Sequence, residues 1–218
     1  MQKTLVIWDW DNTLCNTKEA VLKGLNEMVQ HFNAPSVHEN EVINVMTRHR
    51  GEFWQKRFPL EKIDARPSIP EAVEYYVSCY QKYSGETALF DDALGVLRFL
   101  KENNIPQVVL SNKNHDALVK EVKDKGVYDY FQQVKGTSGP LGKPDKEFAD
   151  DIIDAIKPDR IIFIGDGHSD MLMAQNIGAI PILVHHLDIE LPYDYFCSTL
   201  FEAGIVLTWL LNIEAKGE

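Results

Sequence analysis

The sequence predicts an α/β fold built on a mainly parallel sheet, and three observations predict it. Short, continuous apolar runs recur at Thr4–Trp8, Gln107–Leu110, Ile161–Ile164 and Ile182–Val184; runs without polar alternation suit strands buried on both faces. Between the later runs, apolar residues fall at helical spacing. From about Phe90 onward the two patterns alternate, an order that gives parallel strands with helices on both faces of the sheet.

Taken in order, the first run stops at Asp9 and Asp11, too soon for a signal segment or a membrane span. The stretch 15–85 then breaks the alternation, because it carries helical patterns and no comparable strand. Asn16 with Glu19 three residues on resembles a helix-capping arrangement, opening a helix with Val21, Leu22, Leu25, Met28, Val29 and Phe32 at helical spacing. A second helix is expected over Val42–Met46, and a third after Pro70, with Ala72, Val73, Tyr76, Val77 and Tyr80 on one face. Pro35, Pro59, Pro67 and Pro70 punctuate the region. Later helical faces comprise Ala93, Leu94, Leu97 and Leu100, then Ala117, Leu118 and Val122, then Phe148, Ile152, Ile153 and Ile156. The apolar run Leu200–Ile213 is short and interrupted by Glu202, so no membrane association is expected. The organisation expected is a core of residues 1–14 and 86–218, with 15–85 inserted as a helical domain.

Composition narrows the partners. With 218 residues, 44% hydrophobic and 25% charged, the chain is ordinary for a soluble globular protein that buries a real core. A formal net charge of -11 gives a polyanion little reason to bind, so nucleic acid is not an expected partner. Cys15, Cys79 and Cys197 are widely spaced and odd in number, which suggests neither a disulfide framework nor a zinc site and fits a reducing cytoplasm.

Ligands of parallel sheets sit beyond the carboxyl ends of the strands. There the sequence offers Asp9-Trp10-Asp11-Asn12-Thr13, then Ser111-Asn112-Lys113, then Gly165-Asp166-Gly167-His168-Ser169-Asp170, with Gly142-Lys143-Pro144 in the preceding loop. Four gathered carboxylates repel one another and call for a cation, and an all-oxygen set favours Mg2+. Metal and lysine together neutralise a phosphate, a serine hydroxyl donates to it, and one carboxylate is free to attack phosphorus while its neighbour serves the leaving oxygen.

The order Asp-x-Asp-x-Thr, Ser, Lys, Gly-Asp-x-x-x-Asp resembles the four motifs of haloacid dehalogenase-like phosphatases over nearly the whole chain. The Ser-Asn-Lys and Gly-Lys-Pro-Asp stretches and the insertion after the first motif are most similar to the phosphoglycolate phosphatase-like branch. The resemblance implies a Rossmann-like core with an all-helical cap that closes over the site, and hydrolysis of a small phosphorylated metabolite. It implies Asp9 as nucleophile and metal ligand, and Asp11 as general acid and base whose backbone carbonyl also touches the metal. Ser111, with Asn112 and Thr13, would attend the phosphoryl group, Lys143 would steady nucleophile and phosphate, and Asp166 and Asp170 would complete the Mg2+ site. Asn12 and Gly167 depart from the commonest pattern, which has glycine and serine there.

Plainer alternatives accompany each residue. Ser111 could cap the following helix, Lys143 could be a solvated loop residue, and Asp170 could only complement a helix N-terminus. His168, His185 and His186 are expected at the surface, and Trp8, Trp10, Trp54, Tyr75, Tyr76, Tyr80 and Tyr83 in packing. Arg48 and Arg50, in the basic and aromatic cluster Arg48–Arg57, either form a solvated helix end or bind a second anionic or hydroxylated group of the substrate. A phosphomutase of the same superfamily would typically carry valine in place of Thr13, and a dehalogenase would have no use for Asp11. A phosphonate hydrolase would recruit a cap lysine, for which Lys18, Lys23, Lys56 and Lys62 are available. A non-catalytic phospho-receiver-like module would share the acids and the lysine, without the insertion or Asp11.

Overall fold

A computed structural model describes residues 3–39, 41–42, 50–60, 66–186, 190 and 192–213, with backbone only at 50–52. The chain forms two compact units, Met1–Cys15 with Leu89–Glu218, and Asn16–Ala88. Two-residue strands, Cys15–Asn16 and Ala88–Leu89, mark where the chain passes from one to the other.

The first unit is a six-stranded, all-parallel sheet. Its strands are β1 (Thr4–Trp8), β2 (Gln107–Asn114), β3 (Gln133–Thr137), β4 (Arg160–Gly165), β5 (Ile180–Val184) and β6 (Tyr195–Cys197). Their spatial order is β3-β2-β1-β4-β5-β6, so the order reverses at β1, which lies between β2 and β4. Trp8 is in register with Val109 on one side and Ile164 on the other. The loops after β1, β2 and β4 therefore leave the same edge side by side, at the place where open α/β sheets bind ligands. The acidic motifs lie in the loops after β1 and β4 and at the start of the helix that follows β4, and the Ser111-Asn112-Lys113 motif lies in the end of β2 itself.

Helices α1 (Lys18–His31), α2 (Arg50–Arg57) and α3 (Ile69–Tyr83) belong to the second unit, and α4 (Ala93–Glu102), α5 (His115–Asp124), α6 (Asp150–Ile156), α7 (His168–Asn176) and α8 (Leu200–Leu210) to the first. Strand alternation sorts the core into two layers. Val6 and Trp8 of β1 join Val109, Ile162 and Ile182 against Leu97 of α4, Leu118 of α5 and Leu207 of α8. Leu5 and Ile7 join Val108 and Phe163 against Ile152 of α6 and Met173 of α7. Among the described residues no helix is long and apolar enough to cross a membrane.

Within the second unit, Ala20, Leu25 and Met28 of α1 pack with Ala72, Cys79 and Tyr80 of α3 and with Phe53 and Trp54 of α2. Gly24 suits the close contact of α1 and α3, since a Cβ there would stand 3.1 Å from the Tyr80 backbone, a tight approach. α1 starts at an N-cap Thr17 with no side-chain capping bond, so Asn16 does not cap it as expected. A full capping box instead opens α3, where the Ser68 hydroxyl accepts from the Glu71 N–H and the Glu71 carboxylate accepts from the Ser68 N–H at 2.8 Å. The expected helix Val42–Met46 lies mostly outside the described residues.

Besides the two-residue strands, two strands of the main sheet, β3 and β6, were not expected. They are the sheet edges, where one side of the ladder is open, and neither GlnValLysGlyThr nor TyrPheCys has the continuous apolar character of a strand buried on both faces. Leu94, assigned to the buried face of its helix, is exposed. For the two-layer packing we expect Leu5→Ala, at a fully buried site in the central strand, to cost about 2–5 kcal/mol in urea unfolding. A loss below about 1 kcal/mol would contradict that packing.

Candidate active site

The β1 strand delivers Asp9 into the sheet edge with its backbone fixed, because the Asp9 N–H donates to the Ile164 carbonyl at 2.9 Å. The chain then folds back at once: the N–H groups of Leu14 and Cys15 donate to the Trp10 carbonyl at 3.1 and 3.0 Å, and that of Asn12 to the Cys15 carbonyl at 2.7 Å. This tight loop puts Asn12 at φ 57°, a left-handed conformation that asparagine tolerates better than most residues. Its side-chain N–H donates to Asp166 Oδ2 at 2.7 Å, and the buried Thr13 hydroxyl donates to Asp9 Oδ2 at 3.3 Å.

Lys143 is buried, and its ammonium binds the carboxylates of Asp9 and, at 2.5 Å, Asp170. It is not a solvated loop residue. Asn112 holds the loop that carries it with both ends of its amide: Nδ2 donates to the Lys143 carbonyl at 3.0 Å, and Oδ1 accepts from the Lys143 N–H at 2.7 Å. A Cβ at Gly142 would fall 2.7 Å from that same Oδ1, so only glycine lets the two loops approach this closely. Asp170 also accepts from the Gly167 N–H at 3.0 Å, so it serves the start of α7 and the lysine together. Gly165 makes room for it, since an added Cβ would lie 2.4 Å from Asp170 Cβ.

Carboxylate oxygens of Asp9, Asp166 and Asp170 lie within 4.8 Å of one another, all three residues buried. Burial, then the Asp170 carboxylate, pushes the Asp9 pKa up from 3.8 to about 7 against the pull of Lys143, and the same two causes raise Asp166 well above its ordinary value. Burial works against the Lys143 ammonium, yet Asp170 and Asp9 outweigh it and hold its pKa above the ordinary value. Among the described residues, one ammonium pairs with two of the three acids. The all-oxygen cluster, short of positive charge, suits a hard divalent metal ion.

Ser111 is buried in the extended end of β2, and its hydroxyl accepts from the Lys113 N–H at 3.3 Å. It does not cap the helix that follows; Asn114 does, accepting from the Ala117 N–H. The Asp11 carboxylate lies outside the three-acid cluster and meets Lys113 Nζ at 2.7 Å. Arg48 lies outside the described residues, as does the side chain of Arg50.

Three further residues of this neighbourhood escaped the reading of the sequence. Glu121, one turn from the end of α5, is a buried acid that pairs with Lys113 Nζ at 2.7 Å and accepts from the Trp10 indole at 3.0 Å. It sits on an otherwise apolar helical face, and a glutamate there was the available signal. Lys113 was quoted only as part of a motif. His185, expected at the surface, is half-buried: its ring stacks on Phe90 at 3.9 Å and its Nε2 lies 2.9 Å from the Thr13 carbonyl. Burial lowers its pKa, because the half-buried site disfavours the charged ring. His168 and His186 are exposed.

Residues 3–178 match the family model of haloacid dehalogenase-like hydrolases. The chain is 26% identical over 218 residues to a phosphoglycolate phosphatase of Thiobacillus denitrificans, covering 93% of this chain and 95% of the relative. It is also 23% identical over 198 residues to the pyrophosphatase PpaX of Bacillus mycoides, covering 84% of each. Among solved structures, a haloacid dehalogenase-like family hydrolase of Streptococcus pneumoniae superposes with a TM-score of 0.81 at 19% identity, over 95% of this chain and 98% of that one. The α/β core and the ordered strand-end motifs have their explanation in that match: the chain belongs to the haloacid dehalogenase-like hydrolases and resembles their phosphoglycolate phosphatase-like branch.

Proposed function

We propose that this hydrolase is a Mg2+-dependent phosphatase that cleaves a small phosphate monoester through a phospho-aspartyl intermediate on Asp9. The observation that carries this reading is the buried cluster of Asp9, Asp166 and Asp170 with the Lys143 ammonium between two of its members. Phosphatases among the relatives support the reaction class. Asp9, Asp166 and Asp170 would hold Mg2+ by their side chains and Asp11 by its backbone carbonyl; the ion, when bound, neutralises charge on the phosphoryl group.

The residues of the chain divide the chemistry as follows. Asp9 attacks phosphorus through one carboxylate oxygen, and Asp11 protonates the departing alkoxide. Asp11 then takes a proton from the water that hydrolyses the aspartyl phosphate. Lys143 stays cationic and draws Asp9 toward its ionised, nucleophilic form while facing the incoming phosphate. Ser111 and Thr13 donate hydroxyl hydrogen bonds to the phosphoryl oxygens, and Asn112 keeps the lysine loop in place. The Asn16–Ala88 unit supplies selection of the leaving group, with Arg48 and Arg50 as the residues that read it. Soluble small metabolites, not nucleic acid or lipid, are the expected substrates in a cytoplasmic setting.

Asp9→Asn is expected to abolish turnover of an aryl phosphate in a protein that still folds, while Asp11→Asn slows it by about 10²- to 10⁴-fold on substrates with poor leaving groups. Normal activity of Asp9→Asn would end the covalent mechanism. Chelation should silence the enzyme and Mg2+ restore it, with Asp166→Ala raising the metal concentration needed.

A pH signature follows from the raised carboxyl. With Asp9 at about 7 in the folded protein and 3.8 when unfolded, the folded state holds the extra proton. Its contribution is present at low pH and is lost as pH rises through about 7. In chelator, the melting temperature of the wild type should therefore fall relative to Asp9→Asn between about pH 4 and 7, whereas stabilisation by added Mg2+ should grow over the same interval. Parallel pH profiles of the two proteins would show that Asp9 is not held protonated. For selection, Arg48→Ala or Arg50→Ala should weaken the best substrate from a panel of sugar phosphates, phosphoglycolate, nucleotides and amino-acid phosphates far more than a generic aryl phosphate. Equal losses across the panel would remove these arginines from selection.

A further inference from the structure

Lys113 is a cation that the proposed chemistry does not use, yet it is placed against the group that handles the proton. Its side chain is 10% exposed, and its ammonium is shared between Asp11 Oδ1 and Glu121 Oε2, each at 2.7 Å. Glu121 is also buried, and its same Oε2 accepts from the Trp10 indole N–H at 3.0 Å. Trp10 itself is fully buried. The network thus begins on the residue before Asp11, crosses to the far helix α5, returns through the end of β2, and closes on the Asp11 carboxylate. All four residues belong to one compact unit.

A burial of this kind is costly unless it secures something. Taking an ammonium and a glutamate out of water is unfavourable for each ion, and a hydrophobic set of similar volume would pack at no such cost. A glutamate on the buried face of α5 beside Leu118 and Val122 has no role in packing that an apolar side chain would not fill. What the charged set does provide is direction. Lys113 is held at one end by Glu121, and so it fixes where the Asp11 carboxylate points, while the Trp10 bond fixes the backbone from which Asp11 projects.

We propose that Lys113 and Glu121 are positioning residues for Asp11: Glu121 braces the lysine, and the lysine holds the Asp11 carboxylate in the direction from which it serves the leaving oxygen. This rests on the phosphatase reading, in which Asp11 is the general acid. Neither Lys113 nor Glu121 is required to touch the substrate. A displaced acid slows only the step that needs its proton, so the deficit should depend on the leaving group. An alkoxide leaves badly without protonation, and a nitrophenolate leaves well without it.

The test compares kcat/KM, which covers steps up to formation of the phospho-aspartyl enzyme, for 4-nitrophenyl phosphate and for the best alkyl phosphate found for the wild type. It uses the full chain with Mg2+ and the variants Lys113→Met, Glu121→Gln and Asp11→Asn. Lys113→Met should lose about 10- to 100-fold on the alkyl ester and less than about 3-fold on the aryl ester, a fraction of the 10²- to 10⁴-fold that a general acid supplies. Glu121→Gln keeps the shape and an acceptor for Trp10, so it should fold and show the same selectivity at about 3- to 10-fold. It decides the matter if Lys113→Met does not fold. Equal losses on both esters, or none, in folded variants would overturn the proposal while Asp11→Asn remained selective for the alkyl ester. If Asp11→Asn were itself unselective, the general-acid assignment would fall, and the positioning role with it.

Discussion

The site depends on one interaction, the burial of the Lys143 ammonium between the carboxylates of Asp9 and Asp170. Three buried acids gathered beside the ends of β1 and β4 would otherwise repel, and among the described residues the Lys143 ammonium is the cation that pairs with two of them. Much of the surrounding architecture supports that arrangement. The parallel register of β1 and β4 brings Asp9 beside Asp166, and Gly165 removes the side chain that would push Asp170 away. Asn112 ties the lysine loop to the end of β2, so the cation arrives on the correct side of the acids.

The second buried cation has a different relation to its acids. Lys143 faces a cluster with negative charge in excess, which leaves that site attractive to a metal and to a phosphate. Lys113 faces Asp11 and Glu121 away from that cluster. In the proposed mechanism, separate counter-ions would let two aspartates two residues apart do unlike work, Asp9 attacking and Asp11 serving the leaving oxygen. Strand geometry contributes as well, because the tight loop after β1 turns Asp11 toward β2 and α5 while Asp9 remains at the sheet edge.

Much of this was legible in the sequence, for reasons that differ from residue to residue. The four central strands announce themselves because both faces are buried, whereas β3 and β6 do not, since an edge strand needs less apolar surface. Asp9, Asp166, Asp170 and Lys143 could be brought together because they follow strands or the adjoining loop, and a parallel sheet places such positions on one edge. Glu121 could not, because its function depends on which helix crosses which strand end, a property of tertiary packing. His185 was misjudged for a related reason: its ring is covered by Phe90, a residue nearly a hundred positions earlier in the chain. Ser111 was legible as a buried hydroxyl at a strand end, but the extension of β2 past it, which moves the helix cap to Asn114, was not.

Asn12 carries a consequence beyond the turn it forms. Gly167, immediately after Asp166, has no side chain to hold that acid, and the amide of Asn12 reaches across from the neighbouring strand to do so. The orientation of an acid in the last motif is thereby delegated to the first. A glycine at position 12 would suit the left-handed backbone equally well but would leave Asp166 without this donor, so the side chain that shapes the turn after β1 is also the one that orients an acid following β4.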